Sequence, residues 1–247
     1  MTSVVIFFVT ILATSLSSMS GGGASVINIP VFLFLGMPFP LAMSTQKVSS
    51  TFWVLPASYN YLKGRKIDWT FLVAFSLVGL IGAYLGVQVI LSLDTRVMEV
   101  VIGILVLSLV TYTYFKKDVG LKEVRIYSPA KRFIAYPLAL ILGFYESIFG
   151  SGNGILFSVV TFYTRGMDFV DALGYYFAVA FPWVVFAAGL LIFKGYFSFA
   201  VMIPAVLGSL IGGFIGSKYA KYKGNQFIKT MFVVIGGILG LKLLLEI

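Results

Sequence analysis

Eight stretches of this sequence are apolar enough to lie in a membrane, and two of them are too long to cross it straight. Six run from Leu41 to Leu62, Trp69 to Leu91, Val97 to Phe115, Ala172 to Phe193, Phe197 to Ser217 and Phe227 to Leu245. Each approaches the roughly 20 residues that a helix needs to span the hydrocarbon core. The other two, Val4 to Gly36 and Phe133 to Gly166, are overlong, and each is broken by glycines: Gly21-Gly22-Gly23 in the first and "GSGNG", Gly150 to Gly154, in the second. Glycine is a poor helix former, and an unpaired amide is most costly in hydrocarbon. The breaks therefore need a reason.

Charge and residue usage narrow the chemistry. Charged residues make up only 11% of the chain, well below the roughly 25% of a soluble domain, so the expected class is an all-α polytopic membrane protein. Its net charge of +9 reports topology rather than a nucleic-acid partner. With Cys 0 and His 0, disulfides, thiol catalysis and histidine metal sites are excluded, and no metal or other cofactor is expected. The start, MTSVVIFF, lacks a basic leader region, so the first apolar segment is expected to be retained.

The polar stretch from Lys116 to Arg132 divides the chain near its middle, and a shift of 130 residues superposes the two parts. Gly22 then falls on Gly152, Gly36-Met37 on Gly166-Met167, Ala42 on Ala172 and Gly86 on Gly216. Residues 1–115 and 133–247 thus read as two repeats joined by a linker, 116–132. If each glycine-broken segment crosses once, the basic residues divide 11 against 7 between the two sides; if each turns back as a re-entrant hairpin, they divide 14 against 4. The positive-inside rule favours the hairpins. Three full crossings per repeat is an odd number, so the repeats are expected to be inverted, with both termini outside and the linker in the cytoplasm. Inverted repeats with helices broken near mid-membrane are a recurring transporter plan.

Hairpin tips of this kind have a chemical use. Helices restarting after Gly23 and Gly152 present free N–H groups and positive dipole ends, which bind anions. The candidate site is Gly21, Gly22, Gly23, Ala24 and Ser25 with Gly150, Ser151, Gly152, Asn153 and Gly154. Ser17, Asn28, Ser44, Thr45, Gln46 and Ser147 could add donors, although Ser and Thr also bond their own helix carbonyls. Lys47, near the start of the Leu41 to Leu62 segment, either serves the substrate or snorkels to the outer interface. Glu146 is the carboxylate set well inside an apolar stretch. It is costly there unless paired or protonated, so it either exchanges a proton during transport or pairs with Lys47 across the pseudo-twofold axis. Trp53 and the other tryptophans are assigned to packing and interfacial belts.

"SGGGASVINIPVFLFLGMPFPLAMST" resembles the first-half signature of the sulfite exporter TauE/SafE family, and "GFYESIFGSGNG" is similar to its second-half counterpart. The resemblance covers essentially the whole chain through its two-half plan. It implies transport of a small sulfur-containing anion, such as sulfite or an organosulfonate, across the bacterial inner membrane. It also places Ser44-Thr45-Gln46 near the substrate, and sets Tyr175-Tyr176 where the family has a small hydroxyl pair. An anion channel is the nearer alternative, because the same site with shallow barriers would conduct. A membrane-embedded enzyme is the more distant one, since no acid/base or nucleophile cluster lies in the apolar segments.

Overall fold

The computed structural model describes residues 2–89, 95–116, 118–124, 128–148 and 150–245, so Lys117 and residues 125–127 of the expected linker, and the end of the Trp69 to Leu91 segment, lie outside the described residues. Among the described residues there is no strand, and the helices follow in the order α1 (Thr2–Ser20), α2 (Ala24–Phe34), α3 (Phe39–Leu62), α4 (Trp69–Val89), α5 (Thr95–Phe115), α6 (Pro129–Ile148), α7 (Asn153–Arg165), α8 (Phe169–Phe193), α9 (Phe199–Lys223) and α10 (Asn225–Leu245). Of these, α1, α4, α8 and α9 are long and apolar enough to cross a membrane. Local chemistry sets several boundaries. Proline begins α3, and the Asp168 side chain caps α8 by accepting from the Asp171 amide at 2.8 Å. A left-handed Gly166 ends α7.

The glycine breaks divide each overlong segment into a long helix and a short one that turns back. Phe32, near the end of α2, packs in one buried cluster with Ile6 near the start of α1. Likewise Arg165 at the end of α7 donates to the Tyr136 hydroxyl near the start of α6, at 2.9 Å. Both α2 (11 residues) and α7 (13 residues) thus return alongside the helix that precedes them.

The two halves exchange partners. α1 runs parallel to α9: Ser3 Oγ donates to the Ala200 carbonyl, while a β-carbon on Gly208 would come within 2.5 Å of the Phe7 carbonyl and one on Gly216 within 2.3 Å of that of Ser15. α6 runs parallel to α4 in the same manner, with the Gly82 position 1.9 Å from the Leu140 carbonyl and the Gly86 position 2.5 Å from that of Phe144; a β-carbon on Gly143 would in turn come within 1.9 Å of the Gly79 carbonyl. Small residues let these backbones meet, which is how helices associate where lipid removes most of the hydrophobic drive. Between the pairs, α3 lies antiparallel to α8: Leu62 at the end of α3 meets Gly174 near the start of α8, Met43 near the start of α3 clusters with Leu191 near the end of α8, and Ser58 Oγ donates to the Gly174 carbonyl at 3.2 Å. Phe75, Phe157, Phe177 and Trp183 fill the core there, while Leu77, Ile81, Ile203, Leu207 and Ile238 point outward as an apolar surface.

Several basic residues gather at one end. Lys221 donates to the carbonyls of Asn60 and Lys63, Arg65 pairs with Asp171 at 3.2 Å, Arg165 with Asp68 at 3.1 Å, and Lys229 donates to the Lys116 carbonyl at 2.7 Å. Asn225 Nδ2 ties the same end to Leu121 at 3.1 Å.

The α4–α6 contact is a point where one methyl group matters. Gly143→Ala would place that methyl against a backbone oxygen that cannot move aside, so the variant should lose at least the roughly 1–3 kcal/mol typical of overpacking. A Cβ on Gly189, by contrast, meets nothing within 4 Å, so Gly189→Ala should unfold at or above the wild-type temperature. Thermal unfolding of the purified variants in detergent checks both; equal midpoints for the two would show that the α4–α6 approach is not tight.

Candidate functional site

The two glycine tips meet at the centre of the bundle. A β-carbon on Gly22 would lie 2.9 Å from the Gly152 nitrogen, and one on Gly154 would lie 2.2 Å from the Gly21 carbonyl. Gly22 has φ +133° and Gly152 has φ +76°, so the backbone conformation there favours glycine as strongly as the lack of space does. The tips are also joined by side chains: the Ser25 and Ser151 hydroxyls share a hydrogen bond, and the Tyr145 hydroxyl donates to the Ser151 carbonyl. α10 covers the first tip with Leu239, and α5 covers the second with Val106.

Beside this contact lies a cavity of about 20 Å³, room for roughly one water molecule. Gly22, Gly23 and Ala24 of the first tip and Gly150 of the second line it. The amide of Ala24 donates to Ser17 Oγ at 3.3 Å, while the Gly23 amide has no hydrogen-bond partner among the described residues. The start of α2 therefore faces the cavity with an unused donor as well as its dipole. Gln46 and Lys47 of α3 line the opposite wall. Gln46 is held by Asn28 Nδ2 of α2 at 2.8 Å and itself donates to Ser50 Oγ at 3.3 Å.

Lys47 and Glu146 face each other across this space. Both are buried, at 2% and 6% exposure, which rules out Lys47 snorkelling to an interface. Lys47 Nζ donates to the Glu146 backbone carbonyl in the last turn of α6 and lies 4.0 Å from the Glu146 Oε1. A cation at a helix C-terminus satisfies an orphan carbonyl and complements the negative dipole end. The other carboxylate oxygen accepts from the Tyr176 hydroxyl at 2.7 Å and from Asn153 Nδ2 at 2.8 Å. Asn153 also donates to the Leu142 carbonyl at 3.0 Å, so the first residue of α7 is tied back to α6.

Of the residues expected from sequence, Gly21, Ser151, Gly152, Asn153 and Gly154 belong to the tip contact and Asn28 holds Gln46 without lining the cavity, while Tyr175, Ser44 and Thr45 take part in neither. Tyr175 turns to the basic end, where its hydroxyl accepts from the Asp68 amide, because neighbouring helix positions point about 100° apart and only Tyr176 can face the cavity. Ser44 and Thr45 are buried on α3 but do not line the cavity, and their hydroxyls have no hydrogen-bond partner among the described residues. Ser17 lines the cavity as the sequence suggested, and two cavity residues went unread as site residues: Ser50 and Trp53. Ser50 and Trp53 follow Gln46 at four- and seven-residue spacing on one helix face, a pattern visible in the sequence. Trp53 is buried, and its indole N–H has no hydrogen-bond partner among the described residues. Lys242 of α10 also reaches the first turn of α2, donating to the Val26 carbonyl at 3.2 Å.

Comparison with known proteins adds the family. The model of the sulfite exporter TauE/SafE family matches residues 6–243. A probable membrane transporter protein, ORF9, from Sinorhizobium sp. is 26% identical over 242 residues, covering 98% of this chain and 92% of that protein. A probable membrane transporter protein from Haemophilus influenzae is 25% identical over 247 residues, covering 98% and 94%. The probable membrane transporter protein YfcA from Escherichia coli K12 is 25% identical over 251 residues, covering 98% and 89%. No solved structure matches the chain.

The buried pair has a measurable signature. Lys47→Met strands a carboxylate among neutral donors and should destabilise the protein by about 3–5 kcal/mol. Adding Glu146→Gln to Lys47→Met should recover part of that loss, because no uncompensated charge remains. Thermal unfolding of wild type, both single variants and the double variant gives the coupling; additive losses would mean that the two charges do not interact.

Proposed function

The chain belongs to the sulfite exporter TauE/SafE family, and on that basis we propose that it is a secondary transporter that carries a small oxyanion, sulfite or an organosulfonate, across the bacterial inner membrane. The substrate binds between the N-termini of α2 and α7. Carrying most weight is the backbone contact between the two glycine tips, with a cavity beside it faced by the Gly23 amide, the start of α2 and the buried Lys47. Two positive helix ends, one ammonium group and several neutral donors suit one small oxyanion. No substrate carbon skeleton is needed for such recognition, so sulfite and the head of an organosulfonate would be bound alike.

In this reading the chain is two inverted repeats, 1–115 and 133–247, each a re-entrant hairpin followed by three crossings. The partner exchange supports it: α1 pairs with α9 as α6 pairs with α4, and α3 meets its counterpart α8 antiparallel. Basic residues gathered at the end that holds Lys63, Lys116, Arg165 and Lys221 support a cytoplasmic linker and outward-facing termini. The bilayer itself and the anion are the partners this reading requires.

The cavity is small, about 20 Å³, so in this reading substrate enters when the walls separate. That favours a carrier, which opens to one side at a time, over a channel. The site should fail when the tips are forced apart. Gly22→Ala and Gly152→Ala each add a side chain at positive φ, at a cost of order 1–3 kcal/mol, and Gly22→Ala also collides with the opposite tip. In proteoliposomes, wild type should show saturable counterflow of radiolabelled sulfite or sulfoacetate, and both variants should insert yet lose at least about tenfold of it, equivalent to about 1.4 kcal/mol. Undiminished counterflow in both variants would reject the tip site.

A further inference from the structure

The carboxylate of Glu146 lies where the anion is expected. Its Oε1 packs on the second tip, 2.5 Å from where a β-carbon of Gly150 would be, and the side chain lines the cavity. Three groups that would suit an arriving oxyanion already serve it. Tyr176 and Asn153 donate to Oε2, and Lys47 stands 4.0 Å from Oε1. A structural ion pair alone would not need to sit on the glycine tip and inside the cavity. Resting on the transport reading above, we propose that the Glu146 carboxylate is the resident anion of the site, and that a proton taken up by Glu146 releases Lys47 to the substrate, so that anion and proton are bound together.

The charge count gives the reason. With Glu146 ionised, the buried pair is neutral, and an added oxyanion would leave two negative groups facing one ammonium in a site with little water. With Glu146 protonated, Lys47 and one anionic group of the substrate, such as a sulfonate, form the neutral pair instead. One proton enters the site with each anion, and it leaves Glu146 when the anion departs. The groups placed to influence this exchange are few. Lys47 on α3, Tyr145 on α6 itself and Tyr176 on α8 interact electrostatically with Glu146. The packed neighbours α4 and α7 bring no charge to it: Tyr84 of α4 faces Phe186, Tyr163 of α7 pairs with Tyr112, and Arg165 is held by Asp68. Of the groups named, Glu146 is the carboxylate that can take the proton without giving up the ammonium that the substrate needs.

Such coupling is reciprocal, so it can be read from binding alone. Sulfoacetate is a suitable probe because its own charge is constant across the neutral range. For the purified wild type, its affinity should fall by about tenfold per pH unit once Glu146 ionises, with about one proton taken up per anion bound in weakly buffered solution. Glu146→Gln should bind sulfoacetate with a flat pH profile and no proton uptake. Tyr176→Phe removes a donor that favours the ionised carboxylate, so it should keep the coupling but move its onset to higher pH, a shift that loss of packing would not produce. This variant decides the matter if Glu146→Gln does not purify as a monodisperse protein. Persistent pH dependence and proton uptake in Glu146→Gln, or an unmoved profile in Tyr176→Phe, would overturn the role of Glu146 while leaving the anion site standing. A wild type that binds neither sulfite nor sulfoacetate at any pH would overturn both.

Discussion

A helix that ends inside a bilayer leaves backbone donors and acceptors with no water to satisfy them, and the rest of this fold is organised around two such ends. The chain brings the ends together. The tips of the α1–α2 and α6–α7 hairpins lie against each other through glycine backbone, closed over by Leu239 on one side and Val106 on the other. Side chains take up the remaining valences: Tyr61 donates to the Ser18 carbonyl at the end of α1, and Lys47 to the Glu146 carbonyl at the end of α6. What remains is a small polar cavity bounded by five helices and both tips. Under the transport reading, the same unsatisfied N–H groups that make the break costly are the groups that bind the substrate.

The frame has pseudo-symmetric contacts, but the polar groups placed on it do not. Lys47 corresponds to Phe177 and Glu146 to Leu16 under the repeat shift, so each ionisable residue appears in one half only. Phe177 packs against Trp53 with ring centroids 5.0 Å apart and against Tyr61 at 5.9 Å, making the wall beyond the cavity aromatic. Under the transport reading, such a frame would supply two equivalent arrangements for a carrier to alternate between, and unmatched charges would give each a different chemistry. The close glycine contacts along α1–α9 and α4–α6 suit that division of labour, since they join each hairpin to a long helix of the other half.

The helical plan was legible because it follows from bulk properties. Apolar length located the helices to within a few residues, and the two glycine runs marked the turns through the one residue that adopts positive φ freely. Comparable reasoning placed Glu146 and Lys47 near the tips and offered their pairing, since a buried charge needs a partner. It could not separate a snorkelling Lys47 from a paired one, which depends on how far α3 lies from α6 in space. Tyr175 and Tyr176 were indistinguishable as neighbours in sequence; the rotation of α8 sends one to Asp68 and the other to Glu146. Trp53 was assigned to packing or an interfacial belt, and it does pack in the core, but its place on the cavity wall went unseen. Its spacing from Gln46 was the available signal.

Backbone recognition of the anion at the two tips is the claim on which the functional account stands, and amide spectroscopy addresses it without any substitution. With 26 glycines in the chain, selective nitrogen-15 labelling of glycine gives a spectrum simple enough to assign. Titrating sulfoacetate into the labelled protein should move the amide resonances of Gly22, Gly23, Gly152 and Gly154 together, along one saturation curve, while glycines of the α4–α6 contact such as Gly82 stay in place. Saturable binding that leaves the tip amides unmoved would contradict the account.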